Sequence, residues 1–113
     1  MTAITITVDG AVSRTEYEPG LKFLQTAVGG YIEAVDIAEG MTMYVNEEGK
    51  MSGLAENVVA TYLAWNAAAI APHDWIAGDA IIAGFDFETG ENRALTDEEV
   101  RTLFAHSSSL TFV

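Results

Sequence analysis

Residues Ala27–Asp36, AVGGYIEAVD, carry the switch that decides the fold. An apolar run stops at two glycines, and a β-branched and aromatic run begins at Tyr31. Gly29 suits the left-handed residue that ends a helix. Tyr31 to Ile37 reads as a strand that carries one acid, Glu33, in phase with Tyr31, Val35 and Ile37. A helix feeding directly into a strand calls for a mixed α and β domain.

The elements on either side agree. Upstream, Pro19 suits a helix start, and Leu21, Leu24 and Val28 fall at i, i+3 and i+7 on one face. Further upstream, ITITVDGAVSRTEY alternates with period two around Asp9-Gly10, a hairpin signal. A two-residue loop pairs Ile6 with Ser13, and a three-residue loop with a bulge pairs Val8 with Val12. The second register buries more apolar surface, and the pattern leaves both open.

Downstream, MTMYVN (41–46) is a strand, and NEEGK (46–50) a turn centred on Gly49. LAENVVATYLAWNAAAIA predicts a helix over residues 54 to 71, closed by Pro72. It is apolar nearly all round, so it is buried or covers a partner. DAIIAGFDF is a short apolar strand central in the sheet. LTDEEVRTLF opens a helix on a capping box, Thr96 with Glu99, and SLTFV is an edge or closing strand. The expected order is ββαββαβαβ, an α+β domain with a mostly antiparallel sheet and two to three helices, over residues 1–113 as one unit.

Seventeen acids against five bases give a formal charge of −12. A field of that sign repels nucleic acid and anionic lipid. It leaves a solvated surface, a basic or DNA-binding protein partner (DNA mimicry included), or divalent cations. With no cysteine there is no disulfide or thiolate chemistry, which fits a reducing cytoplasm. The N-terminus has no signal-peptide pattern, and no apolar run reaches the ~20 residues of a membrane span.

Three stretches, LQTAVGGYIEAVDI, MTMYVNEEGKMSGLAEN and DAIIAG followed by LTDEEV, resemble DUF3846, small uncharacterised proteins of actinobacteria and their phages. The resemblance spans roughly residues 21 to 103 and implies a fold and a phage or actinobacterial setting, with no catalytic residues.

The candidate recognition residues are Gly29, Gly30, Tyr31, Glu33, Asn46, Glu47, Glu48 and Lys50. If the Tyr31–Ile37 face with Glu33 is core, that acid is half-buried and either structural or functional. The Gly29 and Gly30 amides offer a place for a small anion, although no phosphate-loop pattern is present. NEEGK is a hairpin tip or a recognition loop, without the acidic spacing of a calcium loop. His73 and Asp74 are neighbours, so on an extended chain they point apart and form no dyad. Ser107, Ser108 and Ser109 lack a nucleophile context. No cofactor, metal or catalytic set assembles, so the expectation is a non-enzyme that binds a protein, with a small-ligand module for a nucleotide-like signal as the alternative. Of Trp65, Trp75, Tyr44, Tyr62 and Phe85, most belong in the core, and an exposed pair would mark an interface. The small residues of the alanine-rich helix permit packing across a two-fold axis, so a homodimer is a further expectation.

Overall fold

The computed structural model describes residues 1–18 and 20–104. Pro19, expected to start the first helix, and residues 105–113, which include His106, Ser107 to Ser109 and the expected last strand, lie outside the described residues.

The period-two segments become strands β1 (Thr2–Ile6) and β2 (Val12–Glu16), followed by helix α1 (Leu21–Val28) and strands β3 (Ile32–Ala38) and β4 (Met41–Asn46). Helix α2 (Val58–Asn66), strands β5 (Ala80–Asp86) and β6 (Glu91–Arg93) and helix α3 (Asp97–Leu103) complete the order ββαββαββα. This is the expected α+β class with an antiparallel sheet, and β6 is an additional strand.

The sheet runs β2-β1-β5-β4-β3, with β6 pairing β5 beyond the end of β1, and every pairing is antiparallel. The continuous apolar run of β5 fits its central place, buried on both faces. One face, from Ile4, Ile6, Val35, Met43, Val45 and Ile82, packs under α2 and α3. The other, from Ala3, Tyr44, Ile81 and Ala83, packs under Leu24 and Val28 of α1. The result is a three-layer sandwich with the sheet in the middle.

Two expectations are corrected. The first hairpin has the three-residue loop Val8–Asp9–Gly10, closed by Thr7 N–H donating to Ala11 O at 3.0 Å, but its register sets Ile6 opposite Val12. That pairing buries both side chains and leaves Val8 in solvent, so burial of Ile6 outweighs burial of Val8. The helix expected over 54 to 71 spans only Val58–Asn66. It starts at Asn57, whose side chain accepts from Ala60 N–H at 3.0 Å, and it stops where Ala68 turns to φ 54°, well before Pro72.

Asn57 is fully buried and its amide is fully used. Its Nδ2 donates to Ile6 O at 2.9 Å and to Gly78 O at 3.0 Å, tying α2 to β1 and to the start of β5. Thr61 continues the knot, donating to Asn57 O at 2.7 Å and accepting from Ile76 N–H at 2.9 Å. At the opposite end of the sheet Arg93 holds Glu99 with both carboxylate oxygens, at 2.7 and 2.8 Å, and donates to Gly40 O at 3.1 Å. The predicted capping box is present in full at Thr96 and Glu99. No helix among the described residues is long and apolar enough to cross a membrane.

Candidate functional site

A cleft of about 720 Å³ opens between β3, the turn that follows β4 and the segment from Ala69 to Ala77. Its floor is apolar, from Val35, Val45 and Ile76, which belong to the α2 side of the core. Its rim is charged: Glu33 on β3 and Glu47 and Lys50 on the turn line it together with Asp74 and Trp75 of the facing segment.

Local structure builds each wall. In β3, alternation places Glu33 on the same face as Val35 and Ile37. That face is core at Val35 and Ile37 but not at the Tyr31 and Glu33 end, so Glu33 is exposed rather than half-buried. The turn at 47–53 connects β4 to α2, so it is not a hairpin tip. Asn46 anchors its first residue, accepting from Glu48 N–H at 2.8 Å and donating to Val28 O at 3.1 Å. Leu54 N–H donates to Gly49 O at 2.9 Å. Gly49 lies so close to the second wall that a Cβ there would sit 2.7 Å from Ala77 O. The two walls are therefore in backbone contact and hold one spacing.

The second wall is tied to α2. Trp65 Nε1–H donates to Asp74 O at 2.9 Å, and Asp74 Oδ1 accepts from the Trp75 N–H at 2.8 Å. Lys50 bridges the cleft, pairing with Asp74 while its ammonium stands 4.5 Å from the centroid of the Trp75 ring. Hydrogen bonds from Lys50 and then from the Trp75 backbone hold the Asp74 carboxyl below its ordinary range. An aromatic face and a carboxylate thus already hold a primary cation at this rim.

The predicted recognition residues divide into two groups. Glu33, Asn46, Glu47 and Lys50 come together at the cleft. Glu48 is exposed on the same turn, and Tyr31 is exposed just before β3. Gly29 and Gly30 lie outside the cleft, and both their N–H groups donate to Gln25 O, at 2.9 and 3.0 Å, as the cap of α1. These amides are spent on the helix end and do not face an anion. Gly29, at φ 76°, is the left-handed helix stop read from the sequence.

Asp74 and Trp75 were not among the predicted residues, because their contact with Lys50 spans two dozen positions. Their sequence signal was the only Lys of the NEEGK turn, set opposite an Asp-Trp pair in a chain with few bases. The aromatic expectation is corrected as well. Trp65, Trp75 and Tyr62 are 40 to 45% exposed, while Tyr44 is buried. The helix that carries Trp65 and Tyr62 is too short and too uniformly apolar to hide every side.

Among the described residues, no group of three or more His, Asp or Glu side chains is placed to hold a metal ion. Neither the curated proteins nor the solved structures compared gave a match to the chain. The family model for a domain of unknown function, DUF3846, matches residues 1–108, which extends the resemblance to the first hairpin and beyond α3. The chain belongs to the DUF3846 family.

Proposed function

We propose that this DUF3846 protein is a non-catalytic accessory protein, cytoplasmic in an actinobacterium or its phage, that binds a basic segment of a partner protein in the cleft. One observation carries the reading: the rim already holds a cation, Lys50, between the Trp75 ring and the Asp74 carboxylate, and Glu33 and Glu47 line the same cleft. A guanidinium or ammonium entering this cleft meets uncompensated carboxylates at Glu33 and Glu47. Elsewhere the acids are spread out, with Glu16 on β2, Asp86 to Glu91 around the β5–β6 turn and Asp97 to Glu99 on α3. That spread favours a local acidic site over mimicry of a DNA strand.

The cleft also has the volume of a small-molecule site. Its rim charge opposes a nucleotide-like anion, so a small ligand here would itself be cationic.

The test is an NMR titration with a capped tetra-arginine peptide at low salt. The chain has two tryptophans, so the two indole N–H signals report separately on Trp75 and Trp65. The Trp75 signal is expected to move, and the E33Q/E47Q double variant to weaken the interaction at least tenfold. An unmoved Trp75 signal at millimolar peptide would overturn the proposal.

A further inference from the structure

We infer that the partner segment binds as an added β-strand along the outer edge of β3. This inference rests on the cleft reading above and names its binding mode.

The backbone of β3 supplies the first observation. Glu47 N–H donates to Tyr31 O at 2.9 Å, just outside the strand pair, in the register that sets Ile32 opposite Asn46 and Glu33 opposite Val45. In an antiparallel pair, hydrogen-bonded residues alternate with non-bonded ones. Tyr31, Glu33 and Val35 therefore bond to β4, and the N–H and C=O groups of Ile32, Ala34 and Asp36 turn outward. Among the described residues no strand pairs with that side. The register shift between Asp36 and Ala38 ends the regular edge, leaving a window from Ile32 to Asp36 with three residues presenting both donor and acceptor.

The cleft supplies the second observation. Ala34 and Asp36 border it, although alternation points their side chains to the α1 face. The Asp36 carboxylate accepts from Thr42 Oγ1 at 3.3 Å, and Thr42 alternates with Met41 and Met43, which face α2. It is thus the outward backbone of these two residues that forms the cleft's edge. A strand paired here would send alternate side chains over Val35 and Ile76, toward Glu33 and Glu47.

Charge selects the occupant. No Lys or Arg occurs between Lys22 and Lys50, while Glu33, Asp36, Glu39, Glu47 and Glu48 all do. An edge this acidic repels a second copy of a −12 chain and admits an extended segment with basic residues at alternate positions.

The probe is a capped hexapeptide of alternating arginine and valine, with two analogues N-methylated on the first, third and fifth or on the second, fourth and sixth amides. Charge is identical in all three. One analogue is expected to lose at least tenfold in affinity and the other to retain binding, because only one set of amides faces β3. Equal binding by both analogues overturns strand addition and leaves the acidic cleft standing. Failure of the unmethylated peptide overturns the cleft reading as well.

On the protein side, A34P removes an outward donor, a place where a strand tolerates proline. It is expected to keep the fold and lose peptide binding, and unchanged binding counts against the inference. If A34P fails to fold, amide exchange in the unaltered chain decides. Peptide should protect Ile32, Ala34 and Asp36 at least tenfold, and unchanged exchange at all three overturns the inference.

Discussion

Two polar regions of this molecule use the same kinds of group to opposite ends. At the start of α2, Asn57 is fully enclosed and its side chain gives and accepts three hydrogen bonds, two of them to elements far away in sequence. At β3 and the turn after β4, Glu33 and Glu47 stand in solvent, and the outer backbone of β3 meets no strand among the described residues. A buried polar group must be satisfied internally, so it specifies the fold. An exposed one is satisfied by water and can exchange that water for a partner. The contrast separates the residues that build the domain from those available for recognition.

The sharpest way to break the comparison is at Asn57. Replacing it with alanine takes the Nδ2 donor away from Ile6 O and Gly78 O in the interior and removes the α2 cap. A loss of about 3 kcal/mol is expected in urea denaturation. A loss under 1 kcal/mol would mean that the knot does not anchor the fold.

Gly49 joins the two regions. G49A drives a Cβ against the Ala77 carbonyl, a backbone atom that cannot swing aside. The expected cost is about 2 kcal/mol, with the cleft walls displaced so that the Trp75 indole signal shifts in the free protein.

The Arg93–Glu99 pair is the electrostatic counterpart. The hydrogen bonds from Arg93, reinforced by the Thr96 backbone, lower the Glu99 carboxyl from 4.5 to about 2. A group depressed on folding stabilises above its unfolded value and loses that contribution as pH falls toward its folded value. The contribution is therefore whole above about pH 4.5 and fades between there and about pH 2. Because the Arg93 side chain is a little over one-third exposed, E99Q is expected to cost only about 1–2 kcal/mol at pH 7. It should also flatten the stability profile across that acid window relative to the unaltered chain. An unchanged acid slope in E99Q would show that the other lowered carboxyls, Asp9, Glu16, Asp74 and Asp97, carry the dependence instead.

What could be read from the sequence follows the same division between local and distant causes. The capping box at Thr96 and Glu99 and the Gly29 stop were legible because each is decided within four residues. The central place of β5 was legible because burial on both faces leaves a continuous apolar run. The ends of α2 were not. The alanines after Asn66 have high helix propensity, and nothing local shows that Ala68 turns to hold Ala69 against Ala64. At the other end, an asparagine ahead of an apolar run was a usable cap signal, eclipsed by the apolar residue at Leu54. β6, three residues long, is too short for a period to register. At the site, one wall was legible from a single loop, whereas Asp74 and Trp75 reach it only through tertiary contact.

The smallest stability effect is expected at Glu33, and it carries the functional half of the contrast. Its carboxylate makes no ion pair with the five described bases, and it lies in a chain of formal charge −12. E33Q removes one negative charge from that field and no hydrogen bond that holds the fold. The change in unfolding free energy should stay within about 0.5 kcal/mol, with its sign toward greater stability at low salt, where self-repulsion is least screened. The same variant should weaken binding of a basic peptide, and the weakening should shrink as salt is raised. A residue silent in unfolding and audible in binding would place Glu33 with recognition. If E33Q instead destabilised the domain by more than 1 kcal/mol, Glu33 would belong with Asn57 among the residues that build it, and the division between the two regions would fail at its clearest point.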